Sequence, residues 1–190
     1  MNRTVVALME DHPGVLNRVV SVLRRRGFNI DSLTVGHTEL PGISRMTIVV
    51  GGNDAVIEQV IKQLYKIVEV TKVSDISDER LVSREVALIK VATNSTNRSE
   101  IMQIVDIYQA KIVDVATDSL MIEVTGTDEK VDSLLNLVRG FGIKEVVRTG
   151  RVAMVRGSAV TRPSDDEPEN GNGNGRARSN GRLVKQAVGP

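Results

Sequence analysis

The chain has 190 residues, of which 41% are hydrophobic and 26% are charged, a composition typical of a globular protein with one or two domains. Its net charge of +1 and its aromatic content of 2% argue against nucleic-acid binding, which relies on basic surfaces and on rings that stack on bases. The sequence has no Cys for disulfides, zinc thiolates or thiol nucleophiles and no apolar run long enough to span a membrane, so we expect a cytoplasmic protein without a membrane partner.

The first 77 residues alternate between short apolar runs and amphipathic stretches. After the first apolar run, Val15, Val19 and Leu23 fall on one face of a predicted helix, and Gly27 then favours its end. The motif ELPGIS at residues 39–44 predicts a turn between two further strands. The predicted order is strand, helix, strand, strand, helix and strand, at residues 3–10, 15–26, 30–37, 45–52, 53–67 and 68–76.

The same order of elements recurs after a short linker, which we place at residues 78–83. Strands are predicted at residues 84–93, 110–117 and 119–126, with one closing strand or two at residues 143–155, and helices are predicted at residues 97–109 and 127–142. This order is typical of a ferredoxin-like sheet with both helices on one face. The predicted fold class is therefore α+β, with two ferredoxin-like βαββαβ units at residues 1–77 and 84–157. Residues 158–190 are rich in Gly, Asn and charge, and we predict a disordered tail there.

Sequence motifs for catalysis are missing from this chain. His12 and His37 are its only histidines, and neither has the spacing of a metal-binding motif. No GxSxG, GxGxxG or GxxxxGKS/T motif occurs, so hydrolase, dinucleotide-binding and P-loop functions have no motif support. We therefore predict that this chain has no catalytic residues, no metal site and no cofactor of its own.

The stretch EDHPGVLNRV, residues 10–19, links the first strand to the first helix. Free N–H groups at a helix start attract anions, and Gly14 has no side chain to hold a ligand away from the backbone. A carboxylate could bind the N–H groups of Gly14 and Val15 while Asp11 binds an ammonium group, an arrangement that suits a free amino acid. In a competing local interpretation, Asp11 caps the helix and Pro13 and Gly14 only form the turn. This stretch alone favours the local interpretation.

The strand after the first helix lies at the edge of a ferredoxin-like sheet. Its sequence, NIDSLTVG at residues 29–36, is apolar enough to pair with a second copy of the chain. Two-fold pairing would bring Asn29 and Ile30 toward the helix start of the other chain and close a pocket between the subunits. Asn29 can hydrogen-bond both ends of an amino acid, and aliphatic surroundings favour a branched side chain. Alternatively, Asn29 only completes the exit from the helix.

Two segments resemble the N-terminal ACT domain of the small regulatory subunit of acetolactate synthase, also called acetohydroxy acid synthase. They are EDHPGVLNRVVSVLRRRGFNIDSLTVG at residues 10–36 and SRMTIVVGG at residues 44–52. The PGVL turn and helix alone would indicate only an ACT domain, a module of many proteins that amino acids regulate. NIDSLTVG together with SRMTI, at the family's spacing, narrows the resemblance to these small subunits. A weaker similarity continues through REVALIKV to about residue 157.

The resemblance implies a noncatalytic subunit that binds and stimulates a large catalytic subunit carrying thiamine diphosphate, magnesium and FAD. That enzyme condenses pyruvate with pyruvate or 2-oxobutyrate in valine, leucine and isoleucine biosynthesis. The resemblance also implies a homodimer through the ACT domain and feedback inhibition by L-valine, with leucine or isoleucine as other candidate effectors. The implied valine-binding residues are Asp11, Gly14 and Val15 of one chain, together with Asn29 and Ile30 of the second copy.

Two features of the sequence bear on this implied role. Many members of the family have Asn where this chain has Asp11, whose carboxylate favours the ligand's ammonium group but repels its carboxylate. The second unit has TNSTNRS, residues 93–99, at the corner where the first unit has its Pro-Gly turn, so we assign the second unit to subunit contacts and activation. A free-standing ACT sensor that regulates a different protein is the alternative function, and only the resemblance separates the two.

Overall fold

The computed structural model describes residues 2–162, so most of the predicted tail lies outside the described residues. Two units of the same fold follow each other, which confirms the predicted α+β class with two βαββαβ units. The first unit consists of β1 Asn2–Glu10, α1 Val15–Arg25, β2 Asn29–His37, β3 Ile43–Gly51, α2 Asp54–Leu64 and β4 Val70–Asp75. The second consists of β5 Leu81–Ala92, α3 Arg98–Ile107, β6 Lys111–Val115, β7 Ser119–Gly126, α4 Asp128–Val138 and β8 Ile143–Arg148, and β9 Val152–Val155 follows it.

Both sheets are antiparallel and have the strand order of a split βαβ unit. The order is β2-β3-β1-β4 in the first sheet and β6-β7-β5-β8 in the second. β2 therefore lies at an edge of the first sheet, as the sequence predicts. Asn29 at the start of β2 pairs with Gly51, which also pairs with Asn2 at the start of β1. The start of β2 and the end of β1 therefore lie at opposite ends of the sheet.

Each unit has its own hydrophobic core between the sheet and its two helices. Alternation along a strand sends every second side chain to the helix side, so one stripe of each helix meets one face of the sheet. The first core includes Val5, Ala7, Val19, Leu23, Ile48 and Leu64, all fully buried. The second core includes Ile89, Val91, Ile101, Ile122, Val131 and Leu134, also fully buried.

Side chains cap the second helix of each unit. The Asn53 side chain caps α2 because its Oδ1 accepts a hydrogen bond from the Val56 N–H group at 3.1 Å. Thr127 caps α4 in the same way, since its Oγ1 accepts from the Lys130 N–H group at 3.4 Å. The C-terminal end of α1 lies just before Gly27, which has a φ angle of 67°.

The last strand joins the two units. β9 pairs with residues 81–84 at the start of β5, so strand structure begins inside the segment predicted as a linker, residues 78–83. Ala153 on β9 packs with Val6 and Ile76 on the face of the first sheet opposite the helices. Residues 143–155, predicted as one closing strand or two, therefore form two: β8 completes the second sheet, and β9 lies against the first unit.

The chain beyond β9 contains no helix or strand within residues 156–162. Ala159, Val160 and Thr161 nevertheless line a cavity of about 250 Å³ beside the turn between β2 and β3. Within residues 2–162, no helix is both long enough and apolar enough to cross a membrane.

Candidate functional site

The corner between β1 and α1 leaves the start of the helix open. Gly14 immediately precedes α1 and has a φ angle of 94°, a conformation that glycine adopts at little cost. A Cβ atom on Gly14 would meet no atom within 4 Å, and no side chain caps the helix. The Val15 N–H group makes only a long hydrogen bond of 3.4 Å, to the His12 carbonyl oxygen. The first turn of α1 therefore presents N–H groups to an external acceptor.

The Asp11 side chain does not cap α1. Its Oδ2 atom lies 2.9 Å from Nδ1 of His37, the last residue of β2, and its backbone N–H group donates to the Gly42 carbonyl oxygen at 2.8 Å. The local interpretation that makes Asp11 the helix cap is therefore wrong. The Asp11 carboxylate instead lies partly exposed between the open corner and the end of the edge strand.

Sequence reasoning missed His37 as a residue of this corner. His37 ends the edge strand, and only the register of β2 on β3, in which His37 pairs with Ser44, places it beside the end of β1. The other histidine also pairs with an acid, since His12 Nε2 lies 3.0 Å from Glu10 Oε2. Both histidines can therefore balance part of the negative charge at this corner when they are protonated.

Asn29 and Ile30 differ in how the fold uses them. The Asn29 side chain is exposed, and its Nδ2 donates to Asp31 Oδ1 at 2.8 Å. The Ile30 side chain is half-buried and packs against the core of its own unit. The pairing of β2 with β3 shifts register between Ile30 and Ser32. Asn29 can therefore offer its whole side chain to a ligand, whereas packing within its own unit takes up part of the Ile30 side chain.

A single chain does not bring the five predicted residues together. Asn29 lies level with Asn2 at the start of β1, and the Asp11 corner follows Glu10 at its end. Asn29 is therefore separated from the Asp11 corner by the length of β1, about 27 Å at 3.4 Å per residue. A second copy removes this separation if its β2 pairs antiparallel with β2 of the first. The start of one edge strand would then lie beside the end of the other, where His37 and Asp11 are.

The equivalent corner of the second unit is chemically different. Asn94 Oδ1 accepts hydrogen bonds from the N–H groups of Thr96 and Asn97, at 2.9 and 3.0 Å. Asn97 Oδ1 accepts from the Asn94 N–H group at 2.8 Å. Asn94 and Asn97 therefore tie together the loop before α3, and no side chain caps α3 itself, whereas the loop before α1 ends in the open glycine Gly14.

Comparison with known proteins identifies both units. A model of the ACT domain of AHAS small-subunit-like proteins matches residues 6–72, and a model of the small subunit of acetolactate synthase matches residues 84–157. A protein of Archaeoglobus fulgidus named as a probable acetolactate synthase small subunit is 55% identical over 158 residues, which are 83% of this chain and 99% of that protein. The acetolactate synthase small subunit of Mycolicibacterium smegmatis is 49% identical, over 81% of this chain and 92% of its own length.

A solved structure agrees with these matches. The crystal structure of the acetolactate synthase small subunit from Thermotoga maritima has a TM-score of 0.78 and 44% identity, and the match covers 84% of this chain and 99% of that one. The βαββαβ fold and the match over residues 6–72 define an ACT-domain protein. With both units matched, the chain belongs to the acetolactate synthase small-subunit family. Membership of a small-subunit family implies a catalytic subunit as its partner.

Proposed function

We propose that this chain is the regulatory subunit of an acetolactate synthase and that L-valine bound at its ACT dimer interface inhibits the holoenzyme. In this proposal the chain binds and stimulates a catalytic subunit that holds thiamine diphosphate, magnesium and FAD and condenses pyruvate with pyruvate or 2-oxobutyrate. The observation that best supports the proposed effector site is the open, uncapped start of α1 at Gly14. Family membership supplies the catalytic partner.

Valine would bind the corner through its two charged groups. Its carboxylate accepts hydrogen bonds from the N–H groups of Gly14 and Val15, where the positive end of the helix dipole favours an anion. Its ammonium group donates to the Asp11 carboxylate. His37 contacts the same carboxylate from the end of β2. A hydrogen bond to a charged group contributes about 1.5 to 3 kcal/mol, so a few of them suffice for specific binding of a small ligand.

The second copy would complete the site. Pairing of two β2 strands joins two four-stranded sheets and places Asn29 of the second copy over the corner of the first, where its amide can bond both ends of the ligand. Ile30 contributes backbone groups and the accessible part of its side chain in this arrangement, because that side chain is only half-buried against the core. A branched aliphatic side chain such as that of valine then lies between the two subunits, with leucine and isoleucine as larger alternatives.

Inhibition in this proposal is a shift between two arrangements of the holoenzyme. Valine can inhibit only if it binds one arrangement more tightly than the other. A coupling free energy of about 1 to 3 kcal/mol corresponds to a change of roughly 5- to 150-fold. Since the second corner has no Pro-Gly turn and the side chains of Asn94 and Asn97 close its loop, we assign stimulation of the catalytic subunit, and not valine binding, to the second unit.

The direct test is reconstitution with an acetolactate synthase catalytic subunit. Acetolactate formation from pyruvate is measured for the catalytic subunit alone, with this chain, and with this chain plus L-valine. We expect this chain to raise the rate and valine to lower it again, with no turnover by this chain alone. Valine binding without any stimulation would instead support a free-standing ACT sensor. The absence of both valine binding and stimulation would contradict both functions.

A further inference from the structure

The segment between β8 and β9 lies against the edge strand of the ACT sheet. Ser32 Oγ on β2 accepts a hydrogen bond from the Arg151 N–H group at 3.0 Å, and Thr34 Oγ1 donates to the Thr149 carbonyl oxygen at 3.4 Å. β2 is also the strand that the proposed function places at the effector site. The second unit therefore contacts the strand that would sense the ligand.

Gly150 makes this contact close. It has a φ angle of 86°, and a Cβ atom built on it would lie 2.6 Å from Ser32 Oγ and 3.0 Å from Thr34 Oγ1. Real Cβ atoms do not approach other atoms so closely, so the backbone of the segment touches β2 without an intervening side chain. A displacement of β2 at this point would therefore move Gly150, because close-packed groups transmit strain.

Arg151 connects the same segment to the helix layer of the second unit. Its guanidinium donates through Nη1 to Thr4 Oγ1 of β1 at 3.2 Å and through Nη2 to Asp128, the first residue of α4. Four fifths of the Arg151 side chain is buried, and Thr4 is almost fully buried, so the ion pair is shielded from water on the side of the sheet. One side chain thus contacts both the ACT sheet and α4.

Neighbouring contacts attach the segment to both units. Arg148 at the end of β8 pairs with the buried Glu85 of β5 and with Asp132 of α4, the latter at 2.6 Å. Burial acts to lower the pKa of Arg148, but the hydrogen bonds from its guanidinium to Glu85 and Asp132 outweigh burial and raise it. On the other side of Gly150, Arg45 of β3 donates to the Ala153 carbonyl oxygen at 2.8 Å.

A cleft beside these contacts leaves room for a second arrangement. It has a volume of about 490 Å³ between the two units, and Asp31, Asp128 and Arg148 are among the residues that line it. Open space therefore lies between this end of α4 and the ACT sheet, while Val131 and Leu134 fix α4 in the core of its own unit. A change in β2 would thus act on the second unit as a whole through the close contact at Gly150.

We infer that residues 149–153, with Arg151 at their centre, couple the ACT effector site to the second unit. This inference rests on the proposed function, since it names the structural link through which valine would act. Arg151 is a positioning residue: it lies on the sheet face opposite the helices, away from the open corner at Gly14. Loss of its guanidinium should uncouple ligand binding from inhibition without removing either the ligand site or the contact surface for the catalytic subunit.

The test uses the full chain reconstituted with a catalytic subunit. In Arg151→Gln we expect stimulation without valine and the valine dissociation constant to stay within about two-fold of wild type, while inhibition at saturating valine falls by about five-fold or more. Arg156→Gln is the matched control, because the Arg156 guanidinium donates to the Leu81 carbonyl oxygen within the β5–β9 pair. This control should be inhibited like wild type.

The outcomes separate the inference from the proposed function. Wild-type inhibition in Arg151→Gln would overturn the inference, and so would equal loss of stimulation and inhibition, which indicates a merely structural role. Absence of stimulation or of valine inhibition in the wild type would contradict the proposed function instead. If circular dichroism shows that Arg151→Gln does not fold, Thr4→Val removes only the hydroxyl that Arg151 contacts, and full inhibition of that variant would overturn the inference.

Discussion

Asp11 Oδ2 lies 2.9 Å from His37 Nδ1, which connects the corner before α1 to the end of the edge strand β2. The contact gives the Asp11 carboxylate a partner within the same chain. A protonated His37 balances the Asp11 charge and so weakens the repulsion between Asp11 and a bound carboxylate. The same contact connects the corner before α1, which is this chain's part of the proposed effector site, to the end of β2.

Asp11 should act in valine binding as a hydrogen-bond acceptor. We expect Asp11→Asn to keep valine binding, because the amide oxygen still accepts from the ligand's ammonium group. Asp11→Leu has a similar size but no acceptor, and it should weaken binding by roughly 10- to 150-fold, the equivalent of one hydrogen bond to a charged group. Equilibrium titration with L-valine measures both affinities, and equal affinities for the two variants would remove Asp11 from the site.

Asn29 should matter for the ligand and not for the fold. Its side chain is exposed and its one side-chain hydrogen bond within the described residues is to Asp31, so Asn29→Ala should change the free energy of unfolding by no more than about 0.5 kcal/mol. Valine affinity should fall about ten-fold or more. Chemical denaturation and valine titration of the same preparation check both values. Unchanged affinity would support the local interpretation of Asn29.

The pair of Arg3 and Asp75 should make the first unit sensitive to acid. Burial acts to raise the pKa of Asp75, but hydrogen bonds from Ser77 and from Arg3, the latter at 2.7 Å, hold it below its ordinary value of 3.8. Because the folded pKa is the lower one, ionised Asp75 stabilises the fold above pH 3.8, and this contribution is lost as the pH falls through the folded pKa. The difference in unfolding free energy between wild type and Asp75→Asn should therefore be largest near neutral pH and decrease in acid. A difference that stays constant with pH would contradict this assignment.

The two cores should respond independently to truncation. Leu23 and Leu134 are both fully buried, but they belong to different clusters. Leu23→Ala and Leu134→Ala should each lower the free energy of unfolding by about 2 to 5 kcal/mol. The double variant should lose the sum within about 0.5 kcal/mol, since the side chains share no contacts. Chemical denaturation of the four proteins measures this, and a larger deviation would show that the two cores are energetically coupled.

The order of elements was predictable because local signals agree with the tertiary structure. The apolar stripe of α1, the cap at Asn53 and the glycine at position 27 each act within a few residues. β9 was not predictable in the same way. Residues 152–155 have the pattern of any short strand, and only their contacts with Val6 and Ile76 place them on the first unit.

The candidate site was predictable in part for a similar reason. Gly14 and its open helix start follow from a local turn, so the sequence indicates them. The partner of Asp11 depends on how β2 pairs with β3, and nothing near His37 in the sequence specifies that register. The distance between Asn29 and the corner likewise follows from the sheet, and it makes a second copy necessary for the proposed site.

The central claim is that the corner at Gly14 binds valine, and calorimetric titration of the purified chain with L-valine tests it most directly, with L-leucine and L-isoleucine alongside. Gly14→Asp and Gly14→Asn place side chains of equal size at a positive φ angle that Asp and Asn tolerate better than most residues, so they differ mainly in charge. We predict saturable valine binding by the wild type, weaker binding by Gly14→Asn and none by Gly14→Asp, whose carboxylate repels that of the ligand. No binding by the wild type, or equal binding by Gly14→Asp, would contradict the account.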